Sequence, residues 1–214
     1  DLGKTQHKVK FGEIFSRNQT INWLSAARFF LFASRDIWFV IALPVYLSTN
    51  LDWTNWQVGA FLASWVIAYG AIQVLAPKIT SSFEQRHPIS QLVNWGLLLA
   101  IVPTLIATAL SNSLNPTLTI IFGLLIFGFI FAINSALHSY LIVNQARAEG
   151  VSLDVGFYYM ANAGGRLIGT LLSGLVFQAF GLITCLWVSA LFLFITAGIS
   201  IMTPARNISE MDSC

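Results

Sequence analysis

The sequence predicts an all-α integral membrane protein of six transmembrane helices, arranged as two inverted three-helix repeats. Three observations predict it. Of the 214 residues, 56% are hydrophobic and only 9% charged, with a mean hydropathy of +0.72; a soluble domain carries about a quarter charged residues and needs a polar exterior. The apolar residues fall into six stretches, each near the roughly 20 residues needed to cross a hydrocarbon core. Polar groups are then distributed over those stretches with a period of three.

The stretches lie at 22–47, 56–76, 91–110, 118–143, 154–178 and 183–203. Residues 1–20 read as a cytoplasmic linker, 21–204 as the six-helix bundle and 205–214 as a cytoplasmic tail. Pro44, Pro103 and the glycines of the fifth stretch fall inside spans, where membrane helices tolerate them. Charge orients the bundle. Lys4, Lys8, Lys10 and Arg17 precede the first span, Lys78 and Arg86 sit in the second connection, Arg147 in the fourth and Arg206 in the tail. The first, third and fifth connections (STNLDWTN, SNSLNPT and AFGL) hold no Lys or Arg. The excess of positive charge on one side places both ends of the bundle in the cytoplasm. Trp23, Trp53, Trp56, Trp95 and Trp187 stand near span ends, as interfacial anchors do. The sequons at Asn18 and Asn207 fall on the cytoplasmic side and read as chance.

A net charge of +2 gives no case for nucleic-acid binding. Cys185 and Cys214 lie far apart, with neither metal-ligand spacing nor a disulfide framework. No metal and no cofactor are predicted. The polar, basic start has no apolar signal-peptide core and does not begin with Met. It reads as a loop, with the chain expected to be part of a longer protein.

The period of three follows from where the polar side chains are. The first span carries Arg28, Arg35 and Asp36, and the second Ser64, Tyr69 and Gln73; the third has no charge. The fourth carries Asn134, Ser135, His138 and Tyr140, and the fifth Tyr158, Tyr159, Asn162, Arg166 and Thr170; the sixth again has no charge. Within the fifth, Tyr158, Asn162, Arg166 and Thr170 recur every four residues and share one helix face. Ala161, Gly165, Gly169 and Ser173 form a second ladder about 100° away, the small-xxx-small pattern of close helix packing. One face packs, and the polar face is expected to line a cavity with Asn134.

A charge at the bilayer centre costs about 2.5–3.5 kcal/mol on the insertion scale. Arg35 and Arg166 both fall near mid-span, whereas Arg28 lies closer to the cytoplasmic end and is expected to snorkel. Asp36 reads as the one acid buried among the spans. Adjacent helical residues do not face each other, so Asp36 is expected to pair with Arg166 or Arg28 rather than Arg35. Two central arginines against one aspartate leave a cation unmatched, to be met by a missing part of the protein or by an anionic substrate. Arg35 and Arg166 suit a bidentate clamp for phosphate, arsenate or carboxylate. His138, one turn from Asn134, reads as a structural hydrogen-bond partner, with a protonation switch as the alternative.

The segments ARFFLFASRDIWFVIALPVYL (27–47), INSALHSYLIV (133–143) and VSLDVGFYYMANAGGRLIGTLLSG (151–174) resemble the second half of organoarsenical efflux permeases of the major facilitator superfamily, the ArsJ type. The resemblance implies the C-terminal six-helix half of a twelve-helix transporter in a bacterial inner membrane. There the first two helices of each triplet face a central cavity and the third braces from outside. It also implies export of 1-arseno-3-phosphoglycerate, and hence arsenate resistance, together with an N-terminal six-helix half that this chain lacks. Alternatives are a permease for another organic anion or drug, and a membrane-embedded transferase. The transferase is disfavoured because it would need clustered acids or a nucleophile–base pair, which Asp36 alone does not supply.

Overall fold

The computed structural model describes residues 18–84, 88–145 and 151–204. Among them every regular element is helical: α1 (Gln19–Phe39), α2 (Ala42–Asn50), α3 (Asn55–Glu84), α4 (Pro88–Ser111), α5 (Pro116–Gln145) and α6 (Val151–Ile201). Five helical stretches, counting α1 with α2 as one, are long and apolar enough to cross a membrane. The protein is thus a helical, multi-pass membrane protein. The predicted linker and tail, with Arg86 and Arg147, lie outside the described residues, apart from the few positions where the linker meets α1.

Two expected boundaries change. The first span is not a single regular helix: its hydrogen-bond ladder is interrupted at Val40–Ile41, between α1 and α2, although both residues keep right-handed helical dihedrals. Pro44 has no N–H to offer the Val40 carbonyl four residues back, and its ring crowds that carbonyl. The amide of Ala42, freed at the break, donates instead to Ser173 Oγ at 3.1 Å. The expected AFGL connection is not a loop either. Helix runs up to Gly181 from both sides, and Gly181 alone departs, at φ 78° and ψ −178°. That region of backbone space is essentially confined to glycine.

Side-chain contacts give the helix directions. Against α5, α1 is antiparallel: Arg28 meets Ser135, Phe32 meets Phe131, and Trp38 meets Phe127. α3 runs parallel to α5, with Trp65 Nε1 donating to the Leu124 carbonyl at 2.8 Å and Tyr69 reaching Phe131. α4 runs antiparallel to α5, with Asn134 Nδ2 donating to the Leu92 carbonyl and Ile106 facing Gly123. The first limb of α6 is parallel to α1, pairing Gly165 with Phe29 and Gly169 with Ala33. The second limb is antiparallel to it, since Ser189 Oγ donates to the Ser34 carbonyl at 2.6 Å and Thr196 reaches Ala27. Gly181 therefore reverses the chain.

The small-residue ladder of α6 packs as expected. A Cβ on Gly165 would collide with the Phe29 carbonyl, and one on Gly169 would sit 2.7 Å from the Ala33 carbonyl oxygen. Only residues without a Cβ let the two backbones come this close. Asn18, the first sequon asparagine, caps α1 by accepting from Thr20 N–H and donates from Nδ2 to the Gln145 carbonyl. An amide held this way is a poor glycan acceptor, in keeping with the reading of that sequon as chance.

Candidate functional site

The close approach of α1 and α6 sets the charged centre. Asp36, fully buried, receives Arg35 Nε on Oδ1 at 2.6 Å and Arg166 Nε on Oδ2 at 3.2 Å. Of the two partners expected for Asp36, Arg166 and Arg28, the structure shows Arg166. The Arg35 pairing corrects the sequence reading: neighbouring helical residues point about 100° apart, but a long arginine stem bends back across that angle. Arg28 does not pair with Asp36.

Arg28 also departs from the expectation that it snorkels. It is 4% exposed, and its Nη1 donates to the Ser135 carbonyl at 2.9 Å and the Ser135 hydroxyl at 3.0 Å. Its guanidinium lies 4.2 Å from the Phe32 ring centroid and 5.1 Å from that of Tyr158. Arg35 takes the same Phe32 ring at 4.9 Å and Phe131 at 5.4 Å. Phe32 thus meets two cations that stand about two turns apart on α1, and aromatic faces attract both.

A file of rings flanks Arg35. Phe39 on α1, Trp65 and Tyr69 on α3, Phe131 on α5 and Phe32 on α1 follow one another at centroid separations of 4.5, 5.5, 6.0 and 5.3 Å. This wall escaped the sequence reading, which weighed Tyr69 only as a polar group. Its available signal was the four-residue spacing of Trp65 with Tyr69 and of Phe127 with Phe131.

The remaining predicted positions separate into two groups. Arg166 keeps 57% of its side chain exposed and Arg35 12%; neither makes an Nη hydrogen bond to a described residue. Asn162, one turn before Arg166, is half-buried. Tyr158, Asn134 and His138, by contrast, are fully buried. Tyr158 packs into a core cluster with Ile21, Leu24 and Leu137. Asn134 is bonded to Leu92, and His138 Nδ1 lies 3.1 Å from the Asn134 carbonyl oxygen. The polar ladder of α6 therefore turns from buried at Tyr158 to open at Arg166. Asp36 is not the one buried acid: Asp154, in the first turn of α6, is also fully buried.

Among the described residues no group of three or more His, Cys, Asp or Glu side chains could hold a metal. No protein-family model matches the chain, and no curated protein matches it.

Proposed function

We propose that this chain is half of a secondary transporter for a small organic anion, working by alternating access against an N-terminal six-helix partner half. The observation that carries the proposal is the Arg35–Asp36–Arg166 centre. Two guanidiniums are held by their Nε edges, with their Nη edges unclaimed and net positive charge left over. Guanidinium edges of this kind match phosphate, arsenate and carboxylate oxygens two at a time. The aromatic wall beside Arg35, with Phe32, Trp65 and Phe131 buried in the core, keeps water from that side of the centre.

The helix directions support six crossings, with α1 and α2 as the first and the two limbs of α6 as the last two. Successive crossings then alternate. They also support two triplets. The first helix of the first triplet, α1, packs on both limbs of α6, and the first helix of the second, α5, packs on α3 and α4. With Lys78 and the basic connections on one side, the ends of the bundle face the cytoplasm of a bacterial inner membrane. The resemblance of 27–47, 133–143 and 151–174 to ArsJ-type permeases names 1-arseno-3-phosphoglycerate as the substrate and arsenate resistance as the outcome.

The test is vesicle transport by the full-length protein, comparing arsenylated with plain phosphoglycerate. Arg35→Lys and Arg166→Lys should each lower transport and arsenate resistance at equal membrane expression. Normal transport by either variant would overturn the clamp.

A further inference from the structure

Asp36 stands in an unusual position for an anion site. It is a fully buried carboxylate in direct contact with both cations that would meet the substrate. If the site were built only for affinity, this carboxylate would oppose it, because like charges at close range repel most where water is scarce. Asp36 does two things instead. It holds two guanidiniums beside each other that would otherwise push apart, using the Nε of each and leaving the Nη edges to a ligand. It also subtracts one charge: two cations and one anion leave a single net positive charge in contact. Arg28, the next cation, stands behind the Phe32 ring and bonds to Ser135, so it adds field without adding a donor to the exposed edge.

We propose that Asp36 is a positioning and charge-selecting residue: it sets how many negative charges an oxyanion group must carry to be accepted. This rests on the anion-transport reading above and specifies its selectivity. With Asp36 ionised, the exposed centre balances a singly charged oxyanion and takes a second negative charge only with help from Arg28 behind Phe32. With Asp36 neutralised, the centre carries one more positive charge, and its preference moves to the more highly charged anion. Shape is unchanged by this step, so the effect separates from a steric one.

The experiment uses the full-length protein in proteoliposomes at about pH 8. It measures binding of methyl phosphate and dimethyl phosphate, which share a tetrahedral phosphorus centre and differ by one charge at that pH. In Asp36→Asn the binding ratio of methyl to dimethyl phosphate should rise by at least about tenfold over wild type. Asp36→Glu should keep the wild-type ratio. Arg166→Gln, at an exposed side chain, should move the ratio the other way, and Asp36→Ser, which also removes the carboxylate charge, serves if Asp36→Asn fails to fold. A ratio unchanged in Asp36→Asn, or in Asp36→Ser where the former does not fold, overturns the role of Asp36 alone. Wild-type protein that binds neither ester overturns the anion site itself.

Discussion

The contact between Gly165 and the backbone of α1 can be tested by adding a single methyl group. Gly165→Ala places a Cβ against the Phe29 carbonyl, which belongs to the backbone and cannot rotate away. The milder neighbour gives the scale. At Gly169 the nearest atom is 2.7 Å from the added carbon, and ordinary contact begins at 3.4 Å, so α1 and α6 must part by about 0.7 Å there. Overpacking of this kind costs about 1–3 kcal/mol, against which the better helix propensity of alanine returns at most about 1 kcal/mol. Gly165 is the tighter site, so a net loss of about 2 kcal/mol is expected. Gly198→Ala is the control: no atom lies within 4 Å of its added Cβ, so alanine should stabilise by up to about 1 kcal/mol. At roughly 2–4 °C per kcal/mol for a chain of this size, the two variants should melt about 6–12 °C apart in detergent. Equal melting temperatures would show that the backbones do not meet as described. A second readout follows from the sequence neighbourhood. Parting the helices also draws Arg166 from Asp36, so Gly165→Ala should weaken anion binding more than its stability loss alone would.

Two further outcomes are expected. Arg28→Lys loses the paired bonds to Ser135 at a buried position and should destabilise by about 1.5–3 kcal/mol, while Arg166→Lys, at a mostly exposed side chain, should leave thermal unfolding nearly unchanged; denaturation curves of both variants compare them directly. Ser173→Ala leaves the Ala42 amide unpaired at the break between α1 and α2 and should cost about 1–3 kcal/mol, with faster amide exchange at Ala42 and recovery in Ser173→Thr.

Much of this architecture could be read in the sequence, and the parts that could not have physical reasons. Apolar length and composition gave the helices, because a bilayer imposes one strict length rule. The four-residue ladders of α6 gave its packing face, because helical period converts spacing directly into direction. The Arg35–Asp36 contact was missed because a Cβ direction says little about where a flexible three-carbon stem can carry a guanidinium. The burial of Tyr158 and Asn134 was missed for a different reason: two residues on one helical face share an azimuth but not a depth. Tyr158 lies under α1 and α5 beside Arg28, whereas Arg166, two turns on, has passed beyond that cover. The break at Val40–Ile41 was signalled by Pro44, but its stabilisation depended on Ser173, 131 residues away in sequence.

The reversal at Gly181 bears on how the chain enters its membrane. Its two limbs meet at one glycine within AFGL, a stretch without charge. If the two limbs are the last two crossings, as proposed, no polar connection has to be dragged through hydrocarbon to place them. The two limbs can insert together as a preformed helical hairpin, with backbone groups satisfied within each helix. Arg166, the one charge midway along the first limb, would then reach its depth already close to a finished α1, with the Asp36 carboxylate waiting to receive it.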